Sequence, residues 1–174
     1  MKVRLLFTLL FLIAALTPPP RLVRAAAAQS TGNTIFVVRH AERADGGMAG
    51  KSVDPSLSEA GKQRAVALAA VLRDAQIRVI FVTEFKRTQE TAAPLAEAIG
   101  IVPTIVTAKD TPTLVARVQG TTGNALVIGH SNTIPEVLTR LGGGTPIAIA
   151  DDQYDDVFIL TPAPKRALLR LHYP

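Results

Sequence analysis

From Asn33 onward the chain alternates short β-branched apolar runs with longer Ala- and Leu-rich stretches, and this alternation constrains the fold more than any other feature. Strands that alternate with helices build a largely parallel sheet with helices packed on it. Residues 34–38 are nearly continuous in apolar side chains, as a strand covered on both faces is, and they run straight into Arg39-His40. Further strands are expected over 78–82, 103–107 and 125–129, with a closing pair over 157–160 and 167–172. Between them, Ala65, Leu68, Ala69 and Leu72 recur at helical spacing, and Ser56 with Glu59 fits a capping box for a helix over 57–76. A second helix is expected over 86–99, with Thr83 as its cap, Arg87 in its first turn and Gly100 as its stop. Thr111 as cap and Pro112 at the first helical position open a third that ends near Gly120, and 133–141 forms a fourth, with Pro135 in its first turn and three glycines after it. The glycine-rich stretch 45–50 reads as a flexible turn.

The 174 residues suit one domain of ordinary size, and the absence of Cys excludes a disulfide framework, a Cys nucleophile and a thiolate metal site. A net charge of +5 invites polyanionic partners, but Lys2, Arg4, Arg21 and Arg24 supply four of the 19 bases within 1–28, where there is no acid. That leaves 15 bases against 14 acids over 29–174, with no basic run interleaved with aromatics, so nucleic acid is not an expected partner. The basic start, the short apolar stretch 5–16 and the alanines before Gln29 have the form of a secretory signal. The expected organisation is a signal over 1–28, a domain over 29–174, and a periplasmic or secreted mature protein without stable membrane insertion. An uncleaved N-terminal anchor is the alternative, because Pro18-Pro19-Pro20, Arg21 and Arg24 lie between the apolar stretch and the alanines.

In open α/β sheets ligands gather beyond the carboxyl ends of the strands. The residues that follow successive strands are Arg39-His40, the segment 83–87, Asp110 and His130. Two of the three histidines and two arginines thus fall at one edge, and phosphate is the group that unites them. Guanidinium forks meet phosphate oxygens with paired charge-assisted hydrogen bonds, and Arg87 adds the positive end of its helix. An imidazole among them can attack phosphorus, while a second, protonated imidazole stabilises the equatorial oxygens.

Val38-Arg39-His40-Ala41-Glu42, the segment 83–92 with Arg87 inside it, and Gly129-His130-Ser131-Asn132 resemble the motifs of the histidine phosphatase superfamily, the phosphoglycerate mutase-like proteins. The resemblance implies a three-layer α/β/α sandwich with a mostly parallel sheet. It also implies a small phosphorylated substrate, His40 as the phosphorylated nucleophile, and Arg39, Arg87 and His130 around the phosphate. A phosphomonoester hydrolase of the histidine acid phosphatase type needs no metal and no organic cofactor. The chain departs from the family at Ala41, where glycine is frequent, and in lacking a mutase-type acid motif. Asp110, topologically where many relatives keep their acid, and Glu42, two residues from the nucleophile, both fit the role of proton donor, as does a mechanism with no protein acid.

Other arrangements compete. A pocket that binds a phosphorylated ligand without turning it over fits the same residues. Gly129-His130-Ser131-Asn132-Thr133 resembles a nucleophile elbow, with Asp155 and His172 downstream in serine-hydrolase order, but Thr133 stands where the second glycine belongs. His172 otherwise reads as an edge residue, and the acidic stretch 151–156 as a solvated approach to a strand, since it lacks the glycine and spacing of a calcium loop. Arginines crowding the same edge as the histidines disfavour a metal there. The export expectation is checked by the intact mass of protein recovered outside the cytoplasm: it should lack the leader, and a mass that includes Met1 to Ala28 excludes cleavage.

Overall fold

The computed structural model describes residues 33–46, 54–144, 147–161 and 166–174. The expected leader, the turn beyond Gly46 and the proline-containing turn at 162–164 lie outside the described residues. In chain order the elements are β1 (Ile35–Arg39), α1 (Glu59–Leu72), β2 (Ile77–Val82), α2 (Lys86–Ile99), β3 (Thr104–Ile105), α3 (Thr111–Gln119), β4 (Asn124–Gly129), α4 (Ile134–Arg140), β5 (Asp156–Leu160) and β6 (Leu168–His172). They form one sheet in the order β3-β2-β4-β1-β5-β6. The first four strands in that order run parallel; β5 pairs antiparallel with β1, and β6 antiparallel with β5.

Strand periodicity sorts the side chains into two cores. Phe36, Val38, Ile80, Leu126 and Ile128 pack on one face against Leu68 and Leu72 of α1 and Leu95 of α2. Val37, Phe81, Ala125 and Val127 pack on the other against Val115 and Val118 of α3 and Val137 and Leu138 of α4. The α/β/α sandwich with a mostly parallel sheet therefore stands as expected. Each fully buried Val, Leu or Ile contributes about 1.5–3 kcal/mol, so the continuous apolar runs of β1 and β4 explain why these two strands hold the centre.

The helix starts differ from the sequence expectations. Ser58, not Ser56, caps α1, accepting a hydrogen bond from the Gly61 amide at 3.0 Å. Extended Phe85 precedes α2 without a side-chain cap, so Thr83 is free for another task. Asp110 rather than Thr111 caps α3, accepting from the Thr113 amide at 3.1 Å. Gly100, at φ 68°, ends α2 in the left-handed conformation that favours glycine.

Gly61 is where α1 touches the segment leaving β1. A Cβ built there meets the Glu42 backbone, closest at its carbonyl oxygen and 3.0 Å from its nitrogen. Gly61→Ala is therefore expected to cost about 1–3 kcal/mol and to lower the thermal midpoint by roughly 3–10 °C. An unchanged melting curve would mean that the segment behind His40 shifts freely.

Candidate active site

The β1–β4 register sets Arg39 beside Gly129, so His40 and His130 leave neighbouring strands together. Their ring centres lie 5.3 Å apart, and the His40 amide donates to the Gly129 carbonyl at 3.0 Å. Both residues are buried. His40 Nδ1 donates to its neighbour's carbonyl, Ala41 O, at 2.8 Å, and this leaves Nε2 with its lone pair. The Ala41 amide donates to Thr91 Oγ1 at 2.9 Å, which ties the turn to α2.

On the other side of β4, β2 delivers Thr83 beneath His130. Thr88 Oγ1 donates to the Phe85 carbonyl at 2.9 Å and accepts from the Thr83 amide at 3.0 Å. The Thr83 hydroxyl then donates to Thr88 Oγ1 at 2.9 Å, so its own oxygen accepts from His130 Nε2 at 3.1 Å. This chain of donors settles the tautomer: His130 carries its proton on Nε2 and presents Nδ1 to the Arg87 guanidinium, whose Nη2 is 3.4 Å away. Thr83 thus orients His130 and does not cap a helix.

Arg87 sits in the first turn of α2, its guanidinium carbon 4.3 Å from the Phe85 ring centre and its Nη1 3.8 Å from Asp54 Oδ1. Arg39 turns the other way. Its Nη1 donates to the carbonyls of Ala150, Asp151 and Gln153 at 2.9, 3.0 and 3.0 Å. Its guanidinium also stacks 4.0 Å from the Tyr154 ring centre, with Nη2 donating to the Tyr154 hydroxyl at 3.3 Å. Arg43, paired with Asp45 at 2.5 Å, adds a third guanidinium. These residues line one cavity of about 320 Å³ with His40, His130, Ser131, Asn132, Asp151 and Tyr154.

Burial pushes both imidazoles down, His40 to about 3 and His130 to about 4. For His130 the Arg87 charge adds to this, and for His40 the hydrogen bond to Ala41 opposes it. Both rings are therefore neutral at physiological pH, one bare nitrogen each, among positive charges. Burial also lowers Arg87 and Arg39, and the Arg43 charge lowers both further, so Arg43 repels each of the other two guanidiniums. An oxyanion in their midst relieves that repulsion.

Of the residues expected at the site, His40, His130, Arg39 and Arg87 come together. Asp110 and Glu42 do not line the cavity: Asp110 is exposed and caps α3, and Glu42 Oε1 accepts from Arg64 Nε at 2.7 Å. The cavity also holds Arg43, Asp151 and Tyr154, which the sequence alone did not point to. A search after each strand misses Asp151 and Tyr154, because they precede β5. That strand is antiparallel, so its beginning lies at the carboxyl edge of the parallel strands.

The serine-hydrolase arrangement does not assemble. His172 Nδ1 does approach Asp155 Oδ2 at 3.2 Å, but β6 and β4 are separated by β1 and β5, roughly 14 Å at the spacing of strands. Asp155, Asp156 and His172 bring ligand atoms within 4.8 Å of one another, yet Arg170 already takes both Asp156 oxygens, at 2.6 and 2.9 Å.

The family model of the histidine phosphatase superfamily (branch 1) matches residues 35–110. The protein histidine phosphatase SixA complexed with tungstate superposes with a TM-score of 0.61 at 16% identity, covering 80% of this chain and 96% of that one. A mycobacterial glucosyl-3-phosphoglycerate phosphatase in complex with inorganic phosphate superposes with a TM-score of 0.62 at 18% identity, covering 80% and 95%. No curated protein matches significantly in sequence. Residues 35–110 are thus similar to the histidine phosphatase superfamily, and the chain shares the fold of these solved phosphatases.

The depressed imidazoles set a direction for stability. An unfolded histidine takes up its proton below about pH 6.5, whereas the folded rings do so only near 3 and 4. Between those values the unfolded chain binds more protons. Stability is therefore full above about pH 6.5 and declines as pH falls, by up to about 1.4 kcal/mol per pH unit for each histidine. Chemical denaturation at several pH values between about 7.5 and 5 should show a steeper loss in the wild type than in a His40→Asn/His130→Asn variant. Equal slopes would assign the acid sensitivity elsewhere.

Proposed function

We propose that the protein is an exported phosphatase that hydrolyses small phosphomonoesters through a phosphohistidine on His40. The observation that carries this is the tautomer of His40: Nδ1–H is committed to the Ala41 carbonyl, so the free lone pair is on Nε2, in a cavity lined by three guanidiniums. Arg87, with Arg43 beside it, holds the phosphoryl oxygens. Arg39 contributes positive charge while its Nη1 secures the wall at 150–153. His130 Nδ1 faces the same anion; arrival of a dianion favours protonation of this ring, which then donates to an equatorial oxygen as charge builds.

In the first step His40 Nε2 attacks phosphorus and the P–O bond to the leaving group breaks. In the second, water attacks the phosphohistidine and returns Nε2 with its lone pair. Hydrolysis is favoured over transfer back to a bound intermediate, because a mutase must keep water out. Domain 29–174 carries the site, and residues 1–28 direct export to the periplasm or exterior, with an uncleaved anchor as the variant form. The chemistry calls for no metal and no organic cofactor.

A phosphate-release screen across phosphorylated metabolites tests the proposal. His40→Ala should lose about 10³-fold or more, and Ser131→Ala should stay within about tenfold of wild type. Wild-type activity should survive EDTA, and acid-quenched enzyme exposed to a labelled phosphomonoester should carry label on His40. Tight phosphate binding with neither label nor release would instead make the protein a phospho-ligand-binding module.

A further inference from the structure

Neither Glu42 nor Asp110 lines the cavity, and each is engaged elsewhere, Glu42 by Arg64 and Asp110 by the Thr113 amide. Among the residues around His40, Tyr154 has the geometry to give a leaving alkoxide its proton. Its ring centre stands 6.0 Å from that of His40, on the wall of the same cavity. Its oxygen accepts from Arg39 Nη2 at 3.3 Å, so the lone pair is engaged and the O–H remains available to donate. The Arg39 guanidinium, 4.0 Å from the ring centre, is held in place by three carbonyls and faces the oxygen that would be left negative.

Resting on the phosphatase reading above, we propose that Tyr154 is the proton donor to the leaving group, with Arg39 as its positioning residue. As His40 Nε2 forms its bond to phosphorus, the P–O bond breaks and its electron pair stays on the leaving oxygen. That oxygen takes the hydroxyl proton of Tyr154 and departs as an alcohol. A phenol is a stronger acid than an alcohol, so the transfer runs downhill. The phenolate that remains is stabilised by the Arg39 guanidinium. In the second step it takes a proton from the attacking water as the water oxygen bonds to phosphorus. The P–N bond then breaks with its pair returning to Nε2, and Tyr154 is restored.

Arg39 thereby gains a task distinct from phosphate binding. It joins the end of β1 to the segment that enters β5, and so sets where the phenol stands relative to the nucleophile.

The test is leaving-group dependence. A general acid matters for an alkoxide and little for a leaving group that is already a weak base. Tyr154→Phe keeps the ring on Arg39 and removes only the proton. With glycerol phosphate, kcat/KM should fall about 10²–10³-fold. With 2,4-dinitrophenyl phosphate, kcat/KM, which reports only steps up to phosphorylation of His40, should change less than about threefold. Asp151→Asn, at the other acidic group on the cavity wall among the described residues, should show no such split. Thermal midpoints of both variants should match wild type.

The proposal is overturned if Tyr154→Phe lowers both substrates equally, if it lowers neither, or if the split follows Asp151→Asn. Wild type that hydrolyses neither substrate and carries no label on His40 would instead overturn the phosphatase reading, and Tyr154's role with it.

Discussion

Parallel pairing of β1 with β4, in the register that sets Arg39 opposite Gly129, brings two histidines distant in sequence to ring centres 5.3 Å apart. Both strands are apolar on both faces and buried between helices, so the pairing cannot slip by one residue without turning each face inside out. The chemistry at the strand ends inherits that rigidity. Backbone and threonine hydrogen bonds then fix each imidazole's tautomer, so each ring presents one defined nitrogen.

A cost accompanies this arrangement. Burying two imidazoles beside guanidinium groups keeps the rings neutral and sets the positive charges against one another. Asp45 and Asp54 compensate Arg43 and Arg87 in part, and three carbonyl dipoles compensate Arg39. A site so arranged is preorganised for an anion, because the charges are already in place and need no reorganisation when it arrives.

Much of the fold was legible from residue pattern alone, because helix and strand periodicity is local and the apolar runs are long. The four parallel strands and their four helices fall close to the expected ranges. Errors gathered at helix starts, where several polar residues compete to cap and the backbone conformation decides. Ser58 displaces Ser56, and Asp110 displaces Thr111. Thr83 lies too far before α2 to cap it and supports His130 directly, with Thr88 holding its hydroxyl. The expected acids are drawn away from the cavity for a related reason: Asp110 and Glu42 follow strands as expected, but a helix N-terminus holds one and Arg64 the other.

By itself the sequence determined the layered α/β architecture and the group formed by His40, His130, Arg39 and Arg87, since each of these residues ends a strand or opens a helix in a parallel sheet. Only the tertiary structure decided what stands across the cavity from them. The acidic approach to β5 reads as solvated surface in one dimension. Antiparallel pairing of β5 with β1 reverses that strand, carries Asp151 and Tyr154 to the carboxyl edge, and lets Arg39 hold them there. Strand direction is set by hydrogen bonding between segments more than a hundred residues apart, and no local pattern encodes it.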